Sequence, residues 1–293
     1  MKRAAAALLL AVLAAASAPS LAAVALTDDL GREVSMPAPA KRIVTLAPFL
    51  TELAFSAGAG DRVVGVSMHS DYPPRARALP QVAGAAGLAI ERLLALAPDL
   101  VLAWRDSIRP EDIGRLEGFG VAVFVAQARS LDDVPRLLEA IGRLAGLDVA
   151  APVREYRGGI ERLRAAHATG APRRVFLEIW HRPLTTIAGP HWINEALGVC
   201  GAANAFEDLA GVAPEVSWEE LYARDPAVIV GAGSAASAEE FRANWRPRAA
   251  LAAVRRGRLV FIPADAIQRP TLRLAEGVRQ LCAALESSGS DSH

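Results

Sequence analysis

Residues 90–102 read IERLLALAPDLVL, and residues 218–230 read WEELYARDPAVIV. Laid over each other without a gap, the two stretches stand 128 residues apart. Glu91 then falls on Glu219, Leu93 on Leu221, Ala95 on Ala223 and Pro98 on Pro226. Each copy reads as about two turns of helix, stopped ahead of a proline that cannot donate a helical hydrogen bond, and then a buried apolar strand. The chain therefore repeats a helix–strand unit.

Further pieces repeat around this one. RIVTLAP (42–48) and RVFLEIW (174–180) both read as opening strands, and VAVFVAQ (121–127) and RLVFIPA (258–264) as late ones. Each late strand leads to an amphipathic stretch, LDDVPRLLEAIGRLAG (131–146) or TLRLAEGVRQLCAAL (271–285). Short apolar strands alternating with amphipathic helices make parallel sheets covered by helices. Two such series predict an α/β chain of two Rossmann-like lobes with parallel sheets. Between them, residues 148–170 are charged and helical in pattern, with Gly158-Gly159 as a weak spot near the middle. A single long linker helix is expected there, and one crossing limits hinge motion. The expected division is an N-terminal lobe over 23–147, the linker helix over 148–170, a C-terminal lobe over 171–286 and a flexible tail over 287–293.

The first 22 residues stand apart. Lys2 and Arg3 precede an almost unbroken Ala, Leu and Val run over 4–18, and Ser20-Leu21-Ala22 supplies a small-x-small cleavage pattern. This is the pattern of a secretory signal peptide, and the apolar run is too short for a membrane anchor. The full chain carries 32 basic and 32 acidic side chains. Removal of Lys2 and Arg3 leaves 30 against 32, a net charge of −2. No basic surplus points to nucleic acid or anionic lipid. Export to the periplasm also bears on Cys200 and Cys282, the only two cysteines. They either pair in the oxidising compartment or remain as two buried thiols. A disulfide there closes a loop worth roughly 4 kcal/mol.

In open α/β sheets, ligands bind beyond the carboxyl ends of the strands. That rule selects Phe49, the segment Ser67–Pro74 with Tyr72 at its centre, Trp104 and Arg105, Trp180 and His181, and the segment Asp265, Ala266, Ile267, Gln268, Arg269. Trp192 lies close to Trp180 in the sequence, within an aromatic-rich stretch of a chain that is only 5% aromatic. Tyr72, Trp104, Trp180 and Trp192 are expected to line a cleft for a large, mainly apolar ligand with a polar rim. The chain lacks a Gly-x-Ser-x-Gly elbow, a phosphate loop and H-E-x-x-H. A binding protein is therefore expected ahead of an exported hydrolase. His69, His181, His191, Glu178 and Asp265 have metal-binding chemistry, but no paired-histidine spacing, so no metal site is expected.

The stretches RIVTLAPFLTELAFSAGAGDRVVGVSMHSDYPPRARALPQV (42–82) and IERLLALAPDLVLAWRDS (90–107) resemble the periplasmic vitamin B12-binding proteins of cobalamin ABC importers. That branch sits within a wider family that also binds iron-siderophores and haem. The resemblance runs over about residues 24–286, and S-D-Y-P-P and A-W-R favour the cobalamin branch. It implies ligand contacts from Tyr72, Trp104 and the D-x-x-x-R loop Asp265–Arg269, and a Cys200–Cys282 disulfide. It implies that Glu91 and Glu219, one per lobe, dock on an inner-membrane permease dimer. It implies a periplasmic monomer that captures a corrinoid, without a cofactor of its own and without catalysis. The family pattern has a tryptophan where this chain has Ala213, and Trp180 and Trp192 are expected to take over that contact. The ligand is then cobalamin, cobinamide or a related corrinoid, with haem or an iron-siderophore as the alternative. An approach of His181 or His191 to the ligand's metal is left open.

Overall fold

The computed structural model describes residues 23–167, 171–234 and 236–288. The expected signal peptide (1–22), the end of the expected linker span (168–170) and most of the expected tail (289–293) lie outside the described residues.

The N-terminal lobe opens with an antiparallel pair, β1 (Val24–Thr27) and β2 (Glu33–Met36). It continues through β3 (Ile43–Thr45), α1 (Pro48–Ser56), β4 (Val63–Ser67), β5 (Gln81–Gly84), β6 (Gly87–Leu88) and α2 (Ile90–Ala95). It closes with β7 (Leu100–Trp104), α3 (Pro110–Gly118), β8 (Ala122–Ala126) and α4 (Asp133–Ala145). The sheet order is β6-β5-β4-β3-β7-β8, parallel except for β6. Leu100, Val101, Leu102 and Ala103 are fully buried. Helices cover both faces of a parallel sheet, so its strands read as continuous apolar runs instead of alternating ones.

A single helix, α5 (Ala150–His167), leads to the second lobe. It buries Val153, Tyr156 and Ile160, the one stripe that helical periodicity brings together. Gly158 and Gly159 do not break it; a side chain at Gly159 would meet Ala275 at ordinary contact distance. The apolar cluster around α5 contains Ile43 and Leu100 of one sheet and Val175 and Val228 of the other.

The second lobe runs β9 (Arg173–Glu178), β10 (Trp180–His181), β11 (Leu184–Thr185), α6 (Trp192–Val199), β12 (Ala202–Asn204) and α7 (Trp218–Arg224). Then follow β13 (Val228–Gly233), α8 (Ser237–Trp245), α9 (Ala252–Arg255), β14 (Leu259–Pro263), α10 (Ala264–Ile267) and α11 (Leu274–Ser287). Its parallel sheet has the order β12-β9-β13-β14, which matches β4-β3-β7-β8 of the first lobe. Cys200 and Cys282 form a disulfide that ties the end of α6 to α11.

The 128-residue repeat extends to the backbone. α2 and α7 each run down to a left-handed residue just before the proline, Ala97 at φ 45° and Asp225 at φ 35°. A residue before proline avoids the helical region, so the chain must turn out of the helix there. In each sheet the chain first adds strands on one side of the central strand and then returns to the other. The reversal lies between β3 and β7 in one lobe and between β9 and β13 in the other. Ligand crevices form at such reversals.

Candidate functional site

The carboxyl ends of the N-lobe strands enclose a cavity of about 350 Å³. Ala47 and Pro48 follow β3, Ser67, Met68 and His69 end and follow β4, and Trp104 ends β7; all line it. The Trp104 ring meets the Phe49 ring edge to face, with centroids 6.0 Å apart. Phe49 is buried, so it acts as the backing of Trp104 and not as lining. Arg105 turns away from the cavity, and its Nη1 donates to the Asp29 carbonyl at 3.1 Å.

The C-lobe strand ends enclose a cavity of about 520 Å³, lined by Glu178, Trp180, His181, Ala232, Phe241 and Phe261 among others. Trp180 is the projecting group. It is 65% exposed and sits at the root of the β10–β11 hairpin, paired with Thr185. Behind it lies a buried polar pair. The Trp245 indole N–H donates to Glu178 Oε2. His181 Nδ1 stands 3.4 Å from Glu178 Oε1, off hydrogen-bond geometry. Burial drives the Glu178 pKa up, against the pull of His181 and the indole. The His181 ring is held between Trp218 and Trp245, with centroids 5.8 and 5.7 Å away.

A third group joins the two lobes. Glu52 lies on α1 among Phe49, Leu50, Thr51, Leu53 and Ala54, all buried, and is itself only 2% exposed. Arg273 grips its carboxylate with a fork, Nε to Oε2 at 3.0 Å and Nη2 to Oε1 at 2.7 Å. Arg269 Nη1 donates to Glu52 Oε1 at 2.9 Å and to Asp71 Oδ1 at 2.7 Å. The Arg269 hydrogen bond holds the Asp71 pKa below the usual carboxylate range. The Arg273 guanidinium also lies 4.0 Å over the Tyr72 ring, a cation–π contact. Tyr72, 43% exposed, thus sits at the lobe junction and lines a separate cavity of about 620 Å³ beside α5 and α11, apart from Trp104.

The loop Asp265–Arg269 divides by residue. Asp265 and Gln268 are exposed, Ile267 is buried and Arg269 reaches across to the N-lobe. Ala266 lies so close to α11 that a side chain at Gly277 would overlap its carbonyl at 1.9 Å, so only glycine fits there.

Two further residues expected in or near the cleft are elsewhere. Trp192 is a core residue, 9% exposed; it is the first residue of α6, which turns it inward, and its indole N–H donates to the Ile267 carbonyl at 3.0 Å. It therefore supports the Asp265–Arg269 loop from beneath and does not line the cleft. His191 caps α6, its Nδ1 accepting from the Ile193 N–H at 3.2 Å, with its ring stacked on Trp192. Burial, reinforced by Arg129, lowers its pKa to about 4, so the ring is neutral near pH 7. His69 is exposed at φ 66°, and its carbonyl accepts from Arg269. Among the described residues, no three metal-binding side chains gather.

Glu91 and Glu219 occupy the first turns of α2 and α7 and are both exposed. Glu91 is 87% exposed and lies 3.8 Å from Arg115. Ala213 is exposed on the loop that enters α7. Sequence reasoning passed over Glu52 and Arg273. A lone acid inside the otherwise uncharged helix 48–56 was the available signal for Glu52.

Residues 43–266 match the periplasmic binding protein family. A vitamin B12-binding protein of Vibrio cholerae is 34% identical over 255 residues, covering 86% of this chain and 92% of that protein. One of Vibrio parahaemolyticus is 32% identical over 254 residues, covering 85% of this chain and 90% of that protein. The crystal structure of the periplasmic vitamin B12-binding protein of Vibrio cholerae superposes with a TM-score of 0.77 at 34% identity, over 86% of this chain and 99% of that one. A periplasmic haem-binding protein in complex with two haems gives 0.73 at 25% identity, over 85% and 98%.

Proposed function

The chain belongs to the periplasmic binding protein family, and from that premise we propose that it captures a corrinoid between its lobes and delivers it to an ABC importer. The observation that carries this reading is a pair of half-sites, one at the strand ends of each lobe. Each lobe ends its strands at a crevice with one accessible tryptophan, Trp104 in the first and Trp180 in the second. Identity of 34% with a vitamin B12-binding protein along nearly the whole of both chains supports the same ligand class. A corrin ring offers large apolar faces and a rim of neutral amides. Flat aromatic groups give contact area at low entropic cost, and exposed polar groups such as Asp265 and Gln268 suit the amides. Cobalamin and its precursor cobinamide both fit that description.

Haem is the second reading, and a relative at 25% identity that binds it favours keeping it in the test. Haem carries two carboxylates and an iron-siderophore is often anionic, so both call for free cations. Here Arg269 is engaged by Glu52 and Asp71, and Arg109 by Asp112. Among the described lining residues Arg182 of the C-lobe cavity is left for an anionic group, one cation where haem's two carboxylates call for two, which favours the uncharged rim of a corrinoid.

The protein acts in this reading as a periplasmic monomer without a cofactor and without turnover. Glu91 and Glu219, equivalent by the repeat, meet the two halves of a permease dimer, whose two-fold symmetry suits two like contacts. Their reversal to lysine together should abolish corrinoid import in cells and leave the affinity of the purified protein unchanged. Normal uptake by that double variant sinks the docking assignment. The ligand assignment is tested by calorimetric titration of residues 23–293 with cyanocobalamin, cobinamide and haem. One-to-one binding of the corrinoids alone supports it; binding of haem alone moves haem to first place.

A further inference from the structure

We propose that Glu52 is a positioning residue for ligand capture: its buried carboxylate holds Arg269 and Arg273 of the opposite lobe together and so sets the spacing of the two half-sites before a ligand arrives. This rests on the corrinoid reading for its ligand arm only.

Three observations converge. Glu52 is a carboxylate at 2% exposure in an N-lobe helix, and among the described residues all three of its hydrogen bonds come from the C-lobe. A buried charge without a partner is costly, so its burial is consistent only with the lobes in their present relation. The geometry is also that of a strong site. A guanidinium fork grips both oxygens, and a second guanidinium adds a third bond; such bidentate, charge-assisted contacts fix orientation as well as distance. Finally, the same two arginines touch the ligand-contact candidates. Arg269 is itself one, and Arg273 lies over the Tyr72 ring. Parting the lobes would leave Glu52 with no cation and Arg269 with Asp265 at 3.5 Å as its remaining acid. The clasp therefore favours one interlobe geometry, and a ligand that needs that geometry meets a site already assembled. A contact formed ahead of binding adds to affinity by sparing the ligand the cost of ordering the lobes.

The test places one spin label per lobe, at Glu111→Cys on α3 and Glu239→Cys on α8, both on helices that rim the half-sites. The native cysteines are paired, so only the two introduced thiols react. The interlobe distance distribution of the ligand-free protein is compared with that of Glu52→Gln, Arg273→Gln and the two together. Cyanocobalamin affinity is measured on the same set without labels. The inference predicts a narrow distribution in the parent and a broader one in each variant. It predicts a Kd raised about tenfold to a hundredfold in each single variant, with the double variant no worse than the worse single one. Should Glu52→Gln fail to fold, Arg273→Gln, at a half-exposed site, carries the same comparison. A lowered melting temperature with unchanged distances and unchanged Kd makes Glu52 a structural residue of α1 and overturns the inference. Unchanged distances with an additive loss of affinity overturn it as well. A parent that binds no corrinoid refutes the functional reading instead, and the distances still judge the clasp.

Discussion

The two lobes share a strand order and a repeat, yet they fill their cores differently. In the N-lobe, the sheet face under α2 and α3 is packed by Val44, Leu93, Val101, Ile113, Leu116 and Val123, and its buried cluster contains no aromatic residue. The corresponding C-lobe face is packed by Phe176, Phe206, Phe241 and Trp245, with Trp218 and Phe261 against them. Ile43 pairs with Leu100 and Val175 with Val228, so Val44 corresponds to Phe176 and Leu46 to Glu178. The N-lobe sheet has six strands and the C-lobe sheet four. The narrower sheet supplies less apolar surface per layer. Larger side chains and a disulfide make up the difference. The same plan is stabilised by breadth in one lobe and by bulk and a staple in the other.

The staple should carry the largest effect. Replacing Cys200 and Cys282 by serine removes the closure of a loop with a sequence separation of 82. A loss of about 4 kcal/mol is expected in urea unfolding, with the C-lobe melting ahead of the N-lobe. A loss shared evenly by both lobes would break the contrast.

The helix starts differ in a second way. α1 begins at Pro48, whose missing N–H needs no cap, while α6 begins behind His191. The His191 pKa is about 4 in the fold and about 6.5 in an unfolded chain. Between those values the unfolded chain takes up the proton first, so this stability is full above pH 6.5 and drains as the pH falls toward 4. The expected loss is about 3 kcal/mol across that window. His191→Asn keeps a cap and should flatten that part of the profile, as read by denaturant unfolding at several pH values. An unchanged profile would mean another group titrates there.

The smallest effect concerns the buried acid that replaces Leu46. Trp245→Phe keeps an aromatic side chain but removes the indole N–H, leaving Glu178 without that donor, for an expected cost of about 2 kcal/mol. Adding Glu178→Leu, which copies the N-lobe residue, should recover much of that loss in the same unfolding experiment. A double variant worse than the single one would show that His181 needs the carboxylate more than the tryptophan does.

Much of this plan was legible in the residues. Largely buried parallel strands read as apolar runs, so β3, β7, β8, β9 and β13 stand out in the sequence. The repeat was visible because its helix, its turn and its proline are all local. β12 was not legible: three residues, Ala202–Asn204, carry no pattern. Trp192 was misplaced because its closeness to Trp180 in the sequence does not say which way its own helix turns it. Glu52 was passed over for a different reason. Its burial depends on two arginines more than 200 positions later in the chain, and no local pattern records a partner that distant.

The central claim is that both lobes hold the ligand, through Trp104 on one side and Trp180 on the other. A crystal structure of the protein with cyanocobalamin tests it most directly. The account predicts one corrinoid between the lobes, in contact with both tryptophans, with Glu52 still gripped by Arg269 or Arg273. A corrinoid seated on one lobe alone, or in the cavity beside α5 and α11, would contradict it.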